Sequence, residues 1–168
     1  ADVEVLLLEH PEREQDVLLP MHRVLGTHFL RGHTPRDMMC QYMGRANGPT
    51  RGRDGNMHCG NLDKKIISMI SHLGSNIPVA VGVALAAKIR KEDLVALTFI
   101  GEGGTSIGDF HEGLNFAAVR KLPLVLIIEN NKFAYSTPTA LEYACDNLID
   151  RAPGYGLPGV LIDGTDVR

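Results

Sequence analysis

Tryptophan is absent from the 168 residues, and aromatic residues make up only 5% of them. A chain this poor in stacking platforms is a weak candidate for binding single-stranded nucleic acid, which leans on aromatic faces. Basic charge is not in excess either. Lys and Arg number 17 against 20 Asp and Glu, giving a net charge of −3. The electrostatic footprint of a DNA or RNA partner is therefore missing. No apolar run is long enough to span a bilayer, so no membrane role is expected. Cysteine is scarce: Cys40, Cys59 and Cys145 lack CxxC spacing. Neither a disulfide framework nor a zinc site is expected, and the three read as reduced thiols in a cytosol-like, cytoplasmic compartment. The opening Ala1-Asp2-Val3-Glu4 is expected to carry no signal peptide. Internal repeats and low-complexity tracts are lacking as well.

Glycine is plentiful, at 18 residues, and with the 9 prolines makes up about 16% of the chain, against about 12% on average. Hydrophobic residues at 44% and charged residues at 22% are ordinary for a globular chain. The length suits one domain, residues 1–168, with a sizeable core. Val3–Leu8 fits a strand or a helical turn. Thr34-Pro35-Arg36-Asp37 predicts a helix start, with Thr34 as cap, Pro35 at the first position and Asp37 closing a capping box. Met38, Met39, Tyr42 and Met43 give that helix an apolar side expected in the core. Residues 44–65 form a long glycine-punctuated loop, of the kind that is functional or disordered. Val79–Lys91 reads as a helix apolar almost all round, hence buried.

The middle of the chain is the informative part. Leu94–Ile100 is an apolar run bounded by Asp93 and Gly101, as for a strand buried on both faces. A helix follows, with Asp109 as its cap and Glu112 three residues on, and Lys121-Leu122-Pro123 stops it. Leu124–Ile128 is a second buried strand, ended by Glu129-Asn130-Asn131. This is a βαβ unit with parallel strands and a right-handed crossover. Thr139–Ala152 reads as another helix and Gly159–Asp163 as another strand. The pattern predicts an α/β fold, doubly wound, with a mainly parallel sheet flanked by helices.

Ligands of such sheets bind beyond the carboxyl ends of the strands. Gly101-Glu102-Gly103-Gly104 and Glu129-Asn130-Asn131 must emerge at one edge, so Glu102 and Asn131 can reach a common point. A carboxylate and an amide oxygen suit a hard cation such as magnesium. Gly103 and Gly104 let backbone N–H groups approach a phosphate just before a helix. A metal-bridged diphosphate is the economical reading. Spacing alone leaves open a glycine turn with a solvated Glu102 and an Asn pair making an Asx turn. The dinucleotide fingerprint GxGxxG fails because Ser106 stands where glycine is needed, and no GxxxxGK[ST] exists.

The stretch Gly101–Pro138, GEGGTSIGDFHEGLNFAAVRKLPLVLIIENNKFAYSTP, resembles the thiamine-diphosphate motif of the alpha subunit of 2-oxo acid dehydrogenases, the first component of the pyruvate, branched-chain and acetoin complexes. RGRDGNMH (51–58) and ISHLGSNIPVAVGVALA (70–86) resemble that subunit too, and PMHRVLG (20–26) does so more loosely. The resemblance implies a thiamine-diphosphate-binding fold. It also implies Mg²⁺ held by Glu102, Asn131 and the carbonyl of Phe133, and diphosphate held by Gly103 and Gly104. Arg23, with His22 in the position of a tyrosine partner, would hold the phosphates. Ser71 and Leu73 would meet the aminopyrimidine ring through their backbone. Ser75 and Asn76 fall in a loop that binds potassium in branched-chain members. His72 is the candidate catalytic histidine, touching substrate or cofactor, and His58 in the glycine-rich loop is a lesser one. Glu102 matches branched-chain members, whereas Glu129 matches pyruvate-type ones.

The implied reaction is oxidative decarboxylation of a 2-oxo acid with transfer of the acyl group to the lipoyl arm of an acyltransferase core. The glutamate that activates the aminopyrimidine comes from a beta subunit in this family, so the implied assembly is an α₂β₂ heterotetramer with an active site at the interface. By the same resemblance the chain reads as a fragment, cut at both ends. A second reading is a truncated cofactor-binding or assembly module without turnover of its own.

Overall fold

Five strands make one sheet, and three of them bring loops to a common edge. The computed structural model describes residues 2–6, by backbone alone, and residues 13–166. The elements run β1 (Asp2–Leu6), β2 (Val17–Leu19), α1 (Leu25–Leu30), α2 (Pro35–Tyr42), α3 (Asn76–Arg90), β3 (Ala96–Gly101), α4 (Gly108–Arg120) and β4 (Leu124–Asn130). A small hairpin of β5 (Phe133–Ala134) and β6 (Thr137–Pro138) follows, then α5 (Ala152–Tyr155) and β7 (Val160–Asp163). The sheet order is β2-β3-β4-β1-β7. Strands β2, β3 and β4 are parallel, and β1 runs antiparallel to both β4 and β7. This is an α/β fold with a mainly parallel sheet flanked by helices. Of the expected run Val3–Leu8, the first part lies in β1, and Leu7 and Leu8 lie outside the described residues.

The expected βαβ unit is present. β3 and β4 are neighbours in register from Ala96↔Leu124 to Gly101↔Glu129. Neither strand shows alternation in the sequence because both faces find apolar partners. Ala96, Ile100, Leu124, Leu126 and Ile128 point into the main core with Ile77, Ala80 and Ala84 of α3 and Phe110, Leu114 and Ala117 of α4. On the opposite face Phe99 packs with Leu18, Met21, Val24 and Ile66. Burying a side chain such as Phe110, fully enclosed here, contributes about 1.5–3 kcal/mol. Helix α4 ends where expected, with Lys121 in the left-handed region (φ 48) ahead of Pro123. Helix α2 begins with the expected capping box between Thr34 and Asp37.

Four local expectations are corrected. Thr139–Ala152 is not a helix but two 3-10 turns, Thr139–Leu141 and Leu148–Arg151, leading into α5. Tyr143 is held by Asn130 Nδ2 on its hydroxyl (3.0 Å), and Asn147 starts a new capping box with Asp150. These contacts divide the segment. Asp109 is not the cap of α4. Ile107 holds that position, and the Asp109 carboxylate accepts from Ser75 Oγ at 2.8 Å instead. Helix α3 buries one face only, leaving Val79 and Ile89 on the exposed side. Of the methionines on α2, Met38 is buried, whereas Met39 and Met43 are exposed. Among the described residues no helix is long and apolar enough to cross a membrane.

Candidate functional site

The carboxyl ends of β2, β3 and β4 carry the candidate residues. After β2, buried Met21 and Val24 bracket His22 and Arg23 and leave them facing outward. After β3 the chain turns at once into a 3-10 turn, Glu102–Gly104. After β4, Asn131 and Lys132 lead into the β5–β6 hairpin, with Lys132 left-handed at φ 72. A cavity of about 590 Å³ lies over this edge. Its walls include His22, Arg23, Ser71, Leu73, Gly103 and Gly104, and across from them Asn131 and Phe133.

Glu102 is the floor of the arrangement. Its side chain is 0% exposed, so it is not the solvated carboxylate that spacing alone left open. Oε1 accepts from Phe133 N–H at 2.9 Å, and Oε2 sits 3.4 Å from the Arg23 guanidinium. Asn131 Oδ1 accepts from the same Phe133 N–H, also at 2.9 Å. The two oxygens from two strands therefore do reach a common point, and a single backbone N–H marks it. The two asparagines divide the work. Asn130 is buried, accepts from Lys132 N–H at 3.0 Å and donates to Tyr143. Both asparagines thus make Asx-type bonds two residues on, and only Asn131 also faces the cavity.

A buried carboxylate holding one N–H and one longer guanidinium contact has acceptor capacity to spare. Beside an amide oxygen, it is a donor set a hard divalent cation could use, with phosphate oxygens or water completing the octahedron. Among the described residues no three His, Cys, Asp or Glu side chains cluster as a metal site on their own. The glycines are required by packing as well. A Cβ on Gly103 would collide with Ala134 Cβ, and one on Gly104 would stand 2.9 Å from Ile100 Cδ1. A Cβ on Gly101 would stand 3.2 Å from the Arg23 guanidinium.

Charge in the cavity is unevenly spread. Burial lowers the His22 pKa, helped by the charges of Arg23 and His58, so its imidazole favours the neutral form. Burial raises the Glu129 carboxyl, with Arg23 opposing and Glu102 adding to the shift. Arg23 is thus the fixed cation of the site.

The sequence model of the dehydrogenase E1 component family matches residues 2–168. The chain belongs to this family. This E1 chain is 43% identical over 156 residues to the 2-oxoisovalerate dehydrogenase subunit alpha of Bacillus subtilis, a match covering 92% of the chain and 47% of the relative. It is 40% identical over 157 residues to the alpha subunit of the acetoin:2,6-dichlorophenolindophenol oxidoreductase of Cupriavidus necator, covering 94% and 47%. The mitochondrial 2-oxoisovalerate dehydrogenase subunit alpha of Mus musculus matches at 36% over 152 residues, covering 90% and 34%. The chain spans about half the length of the first two relatives, and a third of the mouse one.

Nearly all the expected site residues of this E1 chain meet at the one cavity, with Glu102 beneath it. His72 does not. It is exposed, lies outside the lining, and its carbonyl accepts from Ser75 N–H. Ser75 is tied to Asp109, and Asn76 donates to the Pro20 carbonyl at 3.2 Å while its buried Oδ1 finds no partner among the described residues. His58, the lesser histidine candidate, lines the cavity and shares a hydrogen bond with Ser71 Oγ at 2.8 Å. Asn56, Met69 and Tyr135 also line it unannounced. A signal for His58 existed in the RGRDGNMH motif, but nothing local tells which loop residue turns inward.

Proposed function

We propose that the chain supplies the Mg²⁺–diphosphate half of a thiamine diphosphate site in the alpha subunit of a 2-oxo acid dehydrogenase. The observation that carries this reading is the convergence of Glu102 and Asn131 on Phe133 N–H at the edge of a parallel sheet. The chemistry supplied by thiamine diphosphate, when bound, is nucleophilic addition to the keto carbon and an electron sink for loss of carbon dioxide. The chain's own residues bind and orient it. Glu102, Asn131 and the Phe133 carbonyl hold the cation. The N–H groups of Gly103 and Gly104 face the diphosphate, at the turn that enters α4. Arg23 adds a fixed positive charge, and neutral His22 adds an N–H donor. Arg23 balances the buried Glu102 carboxylate until a cation takes that role, and is then free to meet phosphate. Ser71 and Leu73 line the wall where the backbone meets the ring end.

The relatives named for 2-oxoisovalerate and acetoin support a small 2-oxo acid or acetoin as substrate. Glu102 favours the branched-chain class, to be tested against pyruvate and acetoin. A beta subunit completes the active site in an α₂β₂ heterotetramer, and a lipoyl acyltransferase core accepts the acyl group. A bacterial cytoplasm or a mitochondrial matrix is the expected compartment.

Titration calorimetry of the chain assembled with a beta subunit tests the reading, using thiamine diphosphate with and without Mg²⁺. Binding that needs Mg²⁺ and is lost when Glu102→Ala and Asn131→Ala are combined is the expected result. Equal affinity of the wild type and the double variant overturns it. Dye-linked decarboxylation by the assembly then separates an enzyme subunit from a binding module without turnover.

A further inference from the structure

One side-chain cluster on the cavity wall has no role above, where Ser71 enters only through its backbone. His58 Nε2 lies 2.8 Å from Ser71 Oγ, and His58 Nδ1 lies 3.5 Å from Asp54 Oδ1. The three residues come from two loops, and both loops are anchored. Met57 and Cys59, the neighbours of His58, are each 1% exposed, so the backbone there is fixed. The carbonyl of Asp54 accepts from Gln41 Nε2 (3.1 Å) and Thr50 Oγ1 (2.9 Å), and Gln41 is itself buried. Ile67, ahead of Ser71, is tied to β2 by its N–H on the Leu18 carbonyl at 2.9 Å. His58 and Ser71 both line the cavity.

We propose that Asp54, His58 and Ser71 form a proton relay that presents the Ser71 hydroxyl to a negatively charged oxygen held in the cavity. The carboxylate at Nδ1 favours the tautomer with hydrogen on Nδ1. Nε2 of neutral His58 is then an acceptor, and the Ser71 hydroxyl donates to it and points away from the cavity. With His58 protonated, Nε2 becomes a donor, the bond reverses, and the Ser71 hydrogen is free to face a ligand. In the relay the Ser71 proton passes to the ligand oxygen while the Nε2 proton passes to Ser71 Oγ. His58 is left neutral with its Nδ1 proton beside Asp54. Only O–H and N–H bonds change, and solvent restores the proton. Ser71 is the residue that touches the ligand; His58 and Asp54 act through it as positioning residues. The charged and titratable groups facing His58 are Asp54 on its own loop and His22 and Arg23 across the cavity.

The proposal rests on the cavity being the cofactor site, and its test separates the two. Nitrogen NMR of the chain carrying ¹⁵N-histidine, with the His58 signals assigned by their loss in His58→Gln, reads the tautomer without any cofactor. Neutral His58 protonated on Nδ1, reverting to Nε2 in Asp54→Asn, is the expected result. An Nε2-protonated wild type, or no response to Asp54→Asn, overturns the relay whatever the cavity binds. In the assembly with a beta subunit, Ser71→Ala is expected to lower kcat about 100-fold with KM changed less than threefold, to alter the pH profile of kcat, and to be rescued by Ser71→Thr. A factor of 100 is the low end for a placed proton donor. An alanine variant as active as the wild type, with the same profile, also overturns the relay. Failure of the wild-type assembly to bind thiamine diphosphate sinks the cofactor reading and with it any relay to a cofactor-bound ligand.

Discussion

Among the described residues, two titratable side chains are completely enclosed, and they are enclosed on different terms. Glu102, in the turn after β3, has a backbone N–H and a guanidinium within reach. His28, inside α1, is equally buried, yet neither of its ring nitrogens has a partner among the described residues. Its nearest ring is His33, edge-on at 5.4 Å between centroids. Burial is tolerated in the first case because partners and a cavity take up the charge. In the second it is tolerated because an imidazole can shed its charge. Desolvation, with a smaller push from His33, lowers the His28 pKa to about 4. The turn after β3 lines a cavity, whereas the α1 segment is closed around its histidine.

Acid should expose this difference most strongly. The folded-state pKa of His28, about 4, lies below its ordinary 6.5, so between those values the unfolded chain binds more protons. Its contribution is complete above pH 6.5 and is lost as pH falls toward 4, about 3 kcal/mol in all. Urea midpoints measured across that window should fall in the wild type and fall less steeply in His28→Leu, where His22, His33 and His111, also lowered by burial, still contribute; parallel slopes would place the acid sensitivity elsewhere. Glu102→Gln keeps the acceptor for Phe133 N–H but removes the charge. Cofactor affinity in the presence of Mg²⁺ should drop on the order of 100-fold, about 2.7 kcal/mol, with stability nearly unchanged because Arg23 is partly exposed. A large loss of stability with affinity intact would make Glu102 a structural residue like His28.

Smaller effects sharpen the same contrast. Gly103→Ala should lower stability by about 1–3 kcal/mol through the clash with Ala134, and weaken the cofactor by moving the turn. Thr34→Ala, at the cap of α2, should cost about 1 kcal/mol and leave cofactor affinity untouched. Differential scanning calorimetry with and without thiamine diphosphate and Mg²⁺ reads both quantities at once.

How much of this was legible beforehand follows from the range of the interactions involved. The βαβ unit was, because buried parallel strands write themselves as apolar runs between breakers. So was the Thr34 capping box, which is complete within four residues. The meeting of Glu102 with Asn131 was legible at one remove, since topology alone brings the two strand ends together. The false helix at 139–152 has ordinary helical composition, and what divides it is a long-range bond from Asn130 to Tyr143. Asp109 has the residue type of a cap, but Ser75 claims its carboxylate from another element. The burial of His28 was not legible, because nothing nearby in the chain announces that its side of α1 faces inward. The inward turn of His58 was hidden for the same reason.

The pairing of β3 with β4 has an evolutionary corollary. Gly101 and Glu129 are register partners, and the two oxygen-bearing residues follow them by one and two positions. Strand register moves in whole residues, and a slip of one turns every side chain of β4 to the opposite face. The separation of Glu102 and Asn131 is therefore quantised. Drift on the helix surfaces can accumulate without detuning it, and no gradual series of substitutions within the strands leads from this spacing to a neighbouring one.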